Sequence, residues 1–223
     1  MNPTHVCTLA SMEAAGDLNA IQVAQLQAAI HERANIVICG PTGADKRALM
    51  RALVSCALAS PPTAVPRGRT VVMTRRDDDY PLPHVTVRIA PDRCVSAFVE
   101  AVHLAQKLAT ERLVIDEILS GSETVYALRA LYRGRGGLVM VHGDGVDALD
   151  RLTSLVGRDV GAGAEPGIAT LLVDRNIDIV VAIKPRPRYG DRSAAITIHR
   201  SADLVRVRER EHASARSCEH AHH

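Results

Sequence analysis

The sequence predicts an α/β fold: one doubly wound, mainly parallel sheet with helices on both faces and a β-hairpin near its C-terminal end. Three observations lead there. Short apolar runs alternate along most of the chain with segments whose apolar residues recur at helical spacing. Runs such as Thr70-Val71-Val72-Met73-Thr74 and Leu138-Val139-Met140-Val141 are continuously apolar, the character of strands covered on both faces. The first run, Ile36-Val37-Ile38-Cys39-Gly40, opens into a glycine-bearing loop that reaches Lys46 and then a helical segment. Strand, loop and helix in that order form the usual phosphate-binding turn at the carboxyl edge of such a sheet.

The elements follow in order. Residues 1–16 are mixed and read as a lead-in. Asn19 and Gln22 form a capping pair for a helix carrying Val23, Leu26, Ala29 and Ile30. It delivers the chain to a strand over Asn35–Cys39. The helix from Lys46 to Leu58 has Leu49, Leu53 and Cys56 on one face and is stopped by Pro61-Pro62. After a turn at Arg67-Gly68-Arg69 comes the strand Thr70–Thr74. Arg75-Arg76-Asp77-Asp78-Asp79 reads as a solvated loop, although three consecutive acids could also hold a divalent cation. A strand over His84–Ile89 and a turn at Pro91-Asp92-Arg93 precede a helix over Val95–Ala109, with Phe98, Val102, Ala105 and Leu108 on its apolar face.

Arg112-Leu113-Val114-Ile115-Asp116-Glu117 is a strand ending in two carboxylates. A helix over Thr124–Tyr132 leads to the basic turn Arg133-Gly134-Arg135-Gly136-Gly137, whose arginines read as surface, or as a phosphate or subunit contact. The next strand ends in His142, a position more often structural than functional for a lone histidine. A helix from Val146 to Val156, a glycine-rich loop over Gly157–Gly167 and a helix over Ile168–Val173 follow. The strand Ile177–Ile183 is paired through a hairpin tip at Lys184–Asp191 with a return strand over Ala194–His199. The predicted division is therefore a lead-in over 1–16, one domain over 17–204 and a disordered charged, His-containing tail over 205–223.

The loop Gly40-Pro41-Thr42-Gly43-Ala44-Asp45-Lys46-Arg47 carries the chemistry. Compared with G-x-x-x-x-G-K-[ST], it keeps Gly40 and Lys46, has Asp45 where a glycine is required, and has Arg47 where a hydroxyl would hold magnesium. A carboxylate near phosphates costs on the order of ~4 kcal/mol per unit-charge pair at an effective dielectric near 20. An arginine ligates no cation, but it can supply a positive charge where magnesium is missing. Read alone, the segment is equally an ordinary strand-to-helix turn with a lysine on it.

Composition narrows the classes. The chain has 223 residues, 47% of them apolar, enough for one sizeable core. No stretch approaches the ~18 continuous apolar residues of a membrane helix. Aromatic residues make up 2%, with one Phe, four Tyr and no Trp, so a base-stacking platform is hard to build. The net charge of +2 gives no push toward nucleic acid, and direct nucleic-acid binding is not expected. Five scattered cysteines without a C-x-x-C pair, and an N-terminus without an export-signal pattern, read as a cytoplasmic protein with reduced thiols.

Between Asp17 and Leu204 the order of these motifs resembles the type II/IV secretion ATPases, or traffic ATPases, and within them the conjugal-transfer ATPases. Gly40-Pro41-Thr42-Gly43 and Lys46 resemble the family's Walker A loop, and Arg112–Glu117 its Walker B box. Gly136-Gly137, Val141-His142 and Ala148-Leu149-Asp150-Arg151-Leu152 resemble its His box and the helix that follows, the most specific match of all. The resemblance implies a RecA-like P-loop ATPase domain, corresponding to the family's C-terminal domain. It implies ATP as ligand on Gly40 to Arg47, Glu117 and His142 as catalytic residues, and Asp116 with Glu117 holding magnesium through water. It implies a homo-oligomeric ring, a hexamer, working with secretion or conjugation proteins at the inner membrane. Arg133 or Arg135 would reach a neighbouring subunit's site. The sequence departs from the family at Asp45 and Arg47. It departs also at Thr74-Arg75-Arg76, where an Asp box would leave only Asp78, and at Gly134. Two other readings stay open: a catalytically inactive pseudo-ATPase with an assembly or regulatory role, and a small-molecule P-loop kinase using Gly157–Gly167 as its lid.

Overall fold

The computed structural model describes residues 7–41, 45–59, 69–75, 80, 85–89, 94–108, 110–131, 136–143, 148–160, 167–184 and 196–206. Seven strands form one sheet: β1 (Ile36–Gly40), β2 (Arg69–Thr74), β3 (Val85–Arg88), β4 (Thr110–Ile118), β5 (Leu138–His142), β6 (Ile179–Ile183) and β7 (Ile196–Arg200), in the order β3-β2-β4-β5-β1-β6-β7. All neighbouring pairs are parallel except β6 with β7, whose register of Ile183 opposite Ile196 is that of the expected hairpin. The hairpin tip lies outside the described residues. Among the described residues the sheet is accompanied by the helices α1 (Leu9–Ala14), α2 (Ala20–His31), α3 (Lys46–Ala59), α4 (Val95–Lys107), α5 (Gly121–Leu131), α6 (Ala148–Val160) and α7 (Ile168–Asp174).

The alternation of side chains across the strands divides these helices into two layers. Val37 and Cys39 of β1, Val71 and Met73 of β2, and Val139 and Val141 of β5 join the core made with Phe98, Leu128, Leu149 and Val173 from α4 to α7. Ile36, Ile38, Val72, Val114, Leu138 and Met140 join the opposite core, with Leu9, Leu26, Leu49 and Leu53 from α1 to α3. The inner strands β1 and β5 are therefore buried along nearly their whole length, as their unbroken apolar runs require.

Three local features differ from the reading by sequence. Within the first 16 residues a helix forms, closed by a reciprocal capping box between Thr8 and Ser11 and anchored by buried Leu9 and Met12. Its six residues are too few for periodicity to stand out. Helix α6 continues through Gly157 to Val160, so the glycine-rich segment is partly helical. Residues 201–206 are helical as well, reaching into the start of the segment read as a disordered tail.

The amino edge of the sheet is stitched by polar side chains on backbone groups. The buried Asn35 donates through Nδ2 to the carbonyl of Asn176 at 2.9 Å, and its Oδ1 accepts from the Gly137 amide at 2.7 Å. Its own amide donates to Asp178 Oδ2 at 2.7 Å. Arg112 donates to Gly136 O at 2.7 Å and Ile30 O at 2.9 Å. Burial pushes its guanidinium down to about 10, still charged at neutral pH. A Cβ at Gly137 would run into the Leu131 side chain, which would have to shift to admit it. Fixing this edge fixes where each strand ends at the other.

Candidate functional site

Parallel register brings the ends of β1, β5 and β4 to one carboxyl edge. Gly40 pairs with His142 across β1 and β5, and the Gly143 amide donates to Gly40 O at 3.4 Å. On the other side of β5 the register with β4 slips: Ile115 pairs with Val139 but Ile118 with Val141, so β4 spends one extra residue around Asp116-Glu117. This bulge changes which way the acids face. In unbroken alternation, Glu117 would follow Leu113 and Ile115 into the core under α4 and α5. Instead Ile118 fills that core and Glu117 is released to the sheet edge. Its Oε1 meets His142 Nε2 at 2.7 Å. An ionised carboxylate only accepts, so Nε2 is the proton-bearing nitrogen of the ring.

The side of the site that carries Lys46 is built by α3. Lys46 is buried at its first turn, and its ammonium donates to Gly40 O at 2.7 Å and Pro41 O at 2.8 Å. Burial lowers its pKa below the ordinary lysine value; the Glu117 carboxylate works against that shift and the Arg47 guanidinium adds to it. Asp45, which stands where the motif wants glycine, accepts the first helical hydrogen bond from the Leu49 amide at 3.2 Å through its carbonyl. It is therefore the N-cap of α3, a position that favours aspartate. Its presence has a local structural reason, and its side chain is exposed. Thr42, Gly43 and Ala44 lie outside the described residues, as do Asp78, Arg133, Gly134 and Arg135.

Asp116 is almost fully buried and heavily engaged. Tyr80 OH donates to its Oδ1 at 2.7 Å, Thr74 Oγ1 donates to its Oδ2 at 3.1 Å, and Arg47 Nε stands 3.5 Å from Oδ1. The residue expected to help hold magnesium thus faces the arginine that replaced the hydroxyl ligand. A divalent ion placed about 4 Å from that guanidinium would meet a repulsion of roughly 8 kcal/mol at an effective dielectric near 20, twice that of a unit pair. Lys46 and Arg47 suit phosphate oxygens. The same residues do not fit magnesium.

A second layer was illegible in the sequence. Arg75, at the end of β2, donates to Glu117 O at 3.1 Å and pairs with buried Glu123 at 2.6 Å, its guanidinium 5.8 Å from the Phe98 ring centre. Glu123 Oε2 also accepts from the Leu119 amide at 2.9 Å, so the pair clamps both sides of the segment that carries Glu117. A signal existed: Ser120 three residues before Glu123 is a capping-box spacing, and the Glu123 amide does donate to Ser120 Oγ at 3.3 Å. Nothing in the sequence pointed to Tyr80. Arg151, in the run that best resembles the family, lies with Cδ 3.6 Å from where a Cβ on Gly143 would stand, beside His142.

Comparison with known proteins bears on the fold. No protein-family model matches the chain. It is 23% identical over 177 residues to the protein VirB11 of Rhizobium radiobacter, covering 76% of this chain and 48% of the relative; VirB11 of Agrobacterium tumefaciens (strain 15955) gives the same figures. The chain thus spans about half the length of the curated relatives it matches. Among solved structures, the VirB11 ATPase of the Brucella suis type IV secretion system, in complex with sulphate, superposes with a TM-score of 0.64 at 21% identity, over 89% of this chain and 56% of that one. The pilus retraction motor PilT with bound ADP gives 0.65 at 12%, over 97% and 60%. The ATPase DotB of Legionella pneumophila gives 0.55 at 18%, over 75% and 44%. These likenesses bear out the RecA-like fold, and with the curated relatives they bear out the similarity to the type II/IV secretion ATPases.

Proposed function

We propose, from that similarity, that the chain is a nucleotide-binding ATPase domain powering type IV secretion or conjugal transfer. It would act as a homo-oligomeric, hexameric ring in the cytoplasm, together with secretion proteins at the inner membrane. The observation that carries this reading is the meeting of Lys46, Glu117 and His142 at one sheet edge, with Glu117 and His142 in contact at 2.7 Å. Lys46 exchanges the Gly40 and Pro41 carbonyls for phosphate oxygens. Glu117, steered by His142, takes a proton from water as the water oxygen bonds to the terminal phosphorus. The bond from that phosphorus to the bridging oxygen breaks, and the diphosphate leaves with the electron pair. The sulphate and ADP described for two of the similar structures support a phosphate site on this fold.

The contact between Arg47 and Asp116 favours a second reading, a pseudo-ATPase that binds nucleotide and assembles without turnover. Steady-state hydrolysis by the full chain, with and without magnesium, decides between them. Glu117→Gln should lower kcat by about 10²–10⁴-fold while nucleotide stays bound, and Lys46→Ala should abolish binding. Turnover indifferent to both substitutions would sink the enzyme reading. No turnover in the parent, restored by Asp45→Gly with Arg47→Thr, would establish the pseudo-ATPase.

A further inference from the structure

The contact between Arg47 and Asp116 has a consequence for the ligand. In P-loop sites the residue after the lysine and the acid at the end of the neighbouring strand share one task, holding the divalent cation that neutralises the β- and γ-phosphates. In this chain the first of the pair is an arginine, and its Nε stands 3.5 Å from the second, the carboxylate of Asp116. Both oxygens of that carboxylate already accept from protein donors: Oδ1 from Tyr80 OH at 2.7 Å and Oδ2 from Thr74 Oγ1 at 3.1 Å. Magnesium requires near-ideal octahedral oxygen geometry and gives up its waters reluctantly. A carboxylate that already accepts from a tyrosine and a threonine and faces a guanidinium is a poor anchor for its hydration shell. An arginine, by contrast, is always charged and matches phosphate oxygens with paired N–H donors.

We propose that Arg47, held by Asp116, is a built-in replacement for the divalent cation, so that this site takes nucleoside di- and triphosphates in their metal-free form. Asp116 is then a positioning residue for a guanidinium, and Thr74 and Tyr80 keep its carboxylate aimed. The two departures from the sequence motif, the arginine in the loop and the threonine ending β2, become parts of one device: Thr74 braces the acid that braces the arginine. The placement of the Arg47 side chain against Asp116 also distinguishes this from a motif that has merely decayed, in which a long side chain would extend into solvent.

The inference rests on the reading of the site as a nucleotide site, and the two can fail separately. Titration calorimetry of ATP and of ADP into the full-length chain is run in magnesium and in EDTA. In the parent the two affinities should agree within about twofold, whereas in Arg47→Thr the affinity in EDTA should fall about tenfold or more and be recovered by magnesium. If Arg47→Thr does not fold, Arg47→Lys and Arg47→Gln replace it, the lysine keeping binding in EDTA and the glutamine losing it. A parent whose affinity drops about tenfold or more in EDTA overturns the inference and leaves the nucleotide site standing. The same holds for an Arg47→Thr chain that binds equally well in both media. Absence of binding in either medium by a folded parent removes the nucleotide site, and this inference with it.

Discussion

The two edges of the sheet are built from the same strands and use polar side chains in opposite ways. At the amino edge, Asn35 and Arg112 direct side-chain donors to main-chain carbonyls: Asn176 and Leu131 for the first, Gly136 and Ile30 for the second. At the carboxyl edge the side chains mainly engage one another: Glu117 with His142, Arg47 with Asp116, Thr74 and Tyr80 with Asp116, Arg75 with Glu123. A side chain that leaves a buried backbone carbonyl strands that carbonyl without a donor, which holds such a bond in place unless a ligand takes the donor over, as proposed for Lys46. A bond between side chains can be exchanged by turning rotamers on both sides. The first edge therefore sets the register, and the second holds pairs of side chains that can rearrange.

The sharpest way to break this contrast is at a deeply buried ion pair of the carboxyl edge. Arg75 and Glu123 have side chains 12% and 1% exposed. Arg75→Met should leave Glu123 as an uncompensated buried charge and destabilise the chain by about 3–5 kcal/mol. Arg75→Met combined with Glu123→Leu should recover much of that, and denaturant melts of the three chains read the difference. If the double variant is stable but its Glu117-dependent turnover is lost, the clamp serves the site. If turnover survives with the stability, the pair belongs with the amino edge as scaffold.

Gly137→Ala tests the amino edge from within. The added methyl would overlap Leu131, itself buried, and overpacking of this kind costs about 1–3 kcal/mol. Because the carboxyl edge is fixed only through strand register, the variant should bind nucleotide with unchanged affinity below its lowered melting temperature. Weakened binding in the fully folded variant would show that the edges are coupled more tightly than strand register alone provides.

How much of each edge could be read in the sequence follows from the same physics. Strands β1, β2, β5 and β6 were legible because they are buried along nearly their whole length and so are largely apolar; α2 was legible because Asn19 and Gln22 advertise its start. Lys46, Glu117 and His142 were legible because a motif spaces them along the chain. The β4 bulge was not, since a one-residue slip against β5 is a property of pairing and leaves no mark on one strand. Tyr80 and Arg75 meet β4 residues 36 and 42 positions away, and no local pattern announces such partners. The role of Asp45 was misleading for a related reason: as a motif position it signals a lost glycine, while the helix treats it as a good N-cap.

The smallest predicted effect lies in proton linkage at Lys46. Burial lowers its pKa in the folded chain, so between that value and the ordinary lysine value the folded state holds fewer protons than the unfolded one. Unfolding then takes up a proton, and stability rises with pH across this window; below both values both states are charged and the slope vanishes. Phosphate acts in the opposite sense. An anion at the ammonium raises its pKa again, so binding in the same window takes up a proton and affinity falls as pH rises. Nucleotide affinity measured from neutral pH into the alkaline range should therefore weaken, at most by about tenfold per pH unit for a single proton. Lys46→Arg, which stays charged throughout, should bind more weakly at neutral pH but flatten the profile. A profile as steep in Lys46→Arg as in the parent would assign the proton to another group, and the ammonium at the mouth of the loop would then be a fastener for Gly40 and Pro41, as the polar side chains of the amino edge are for theirs.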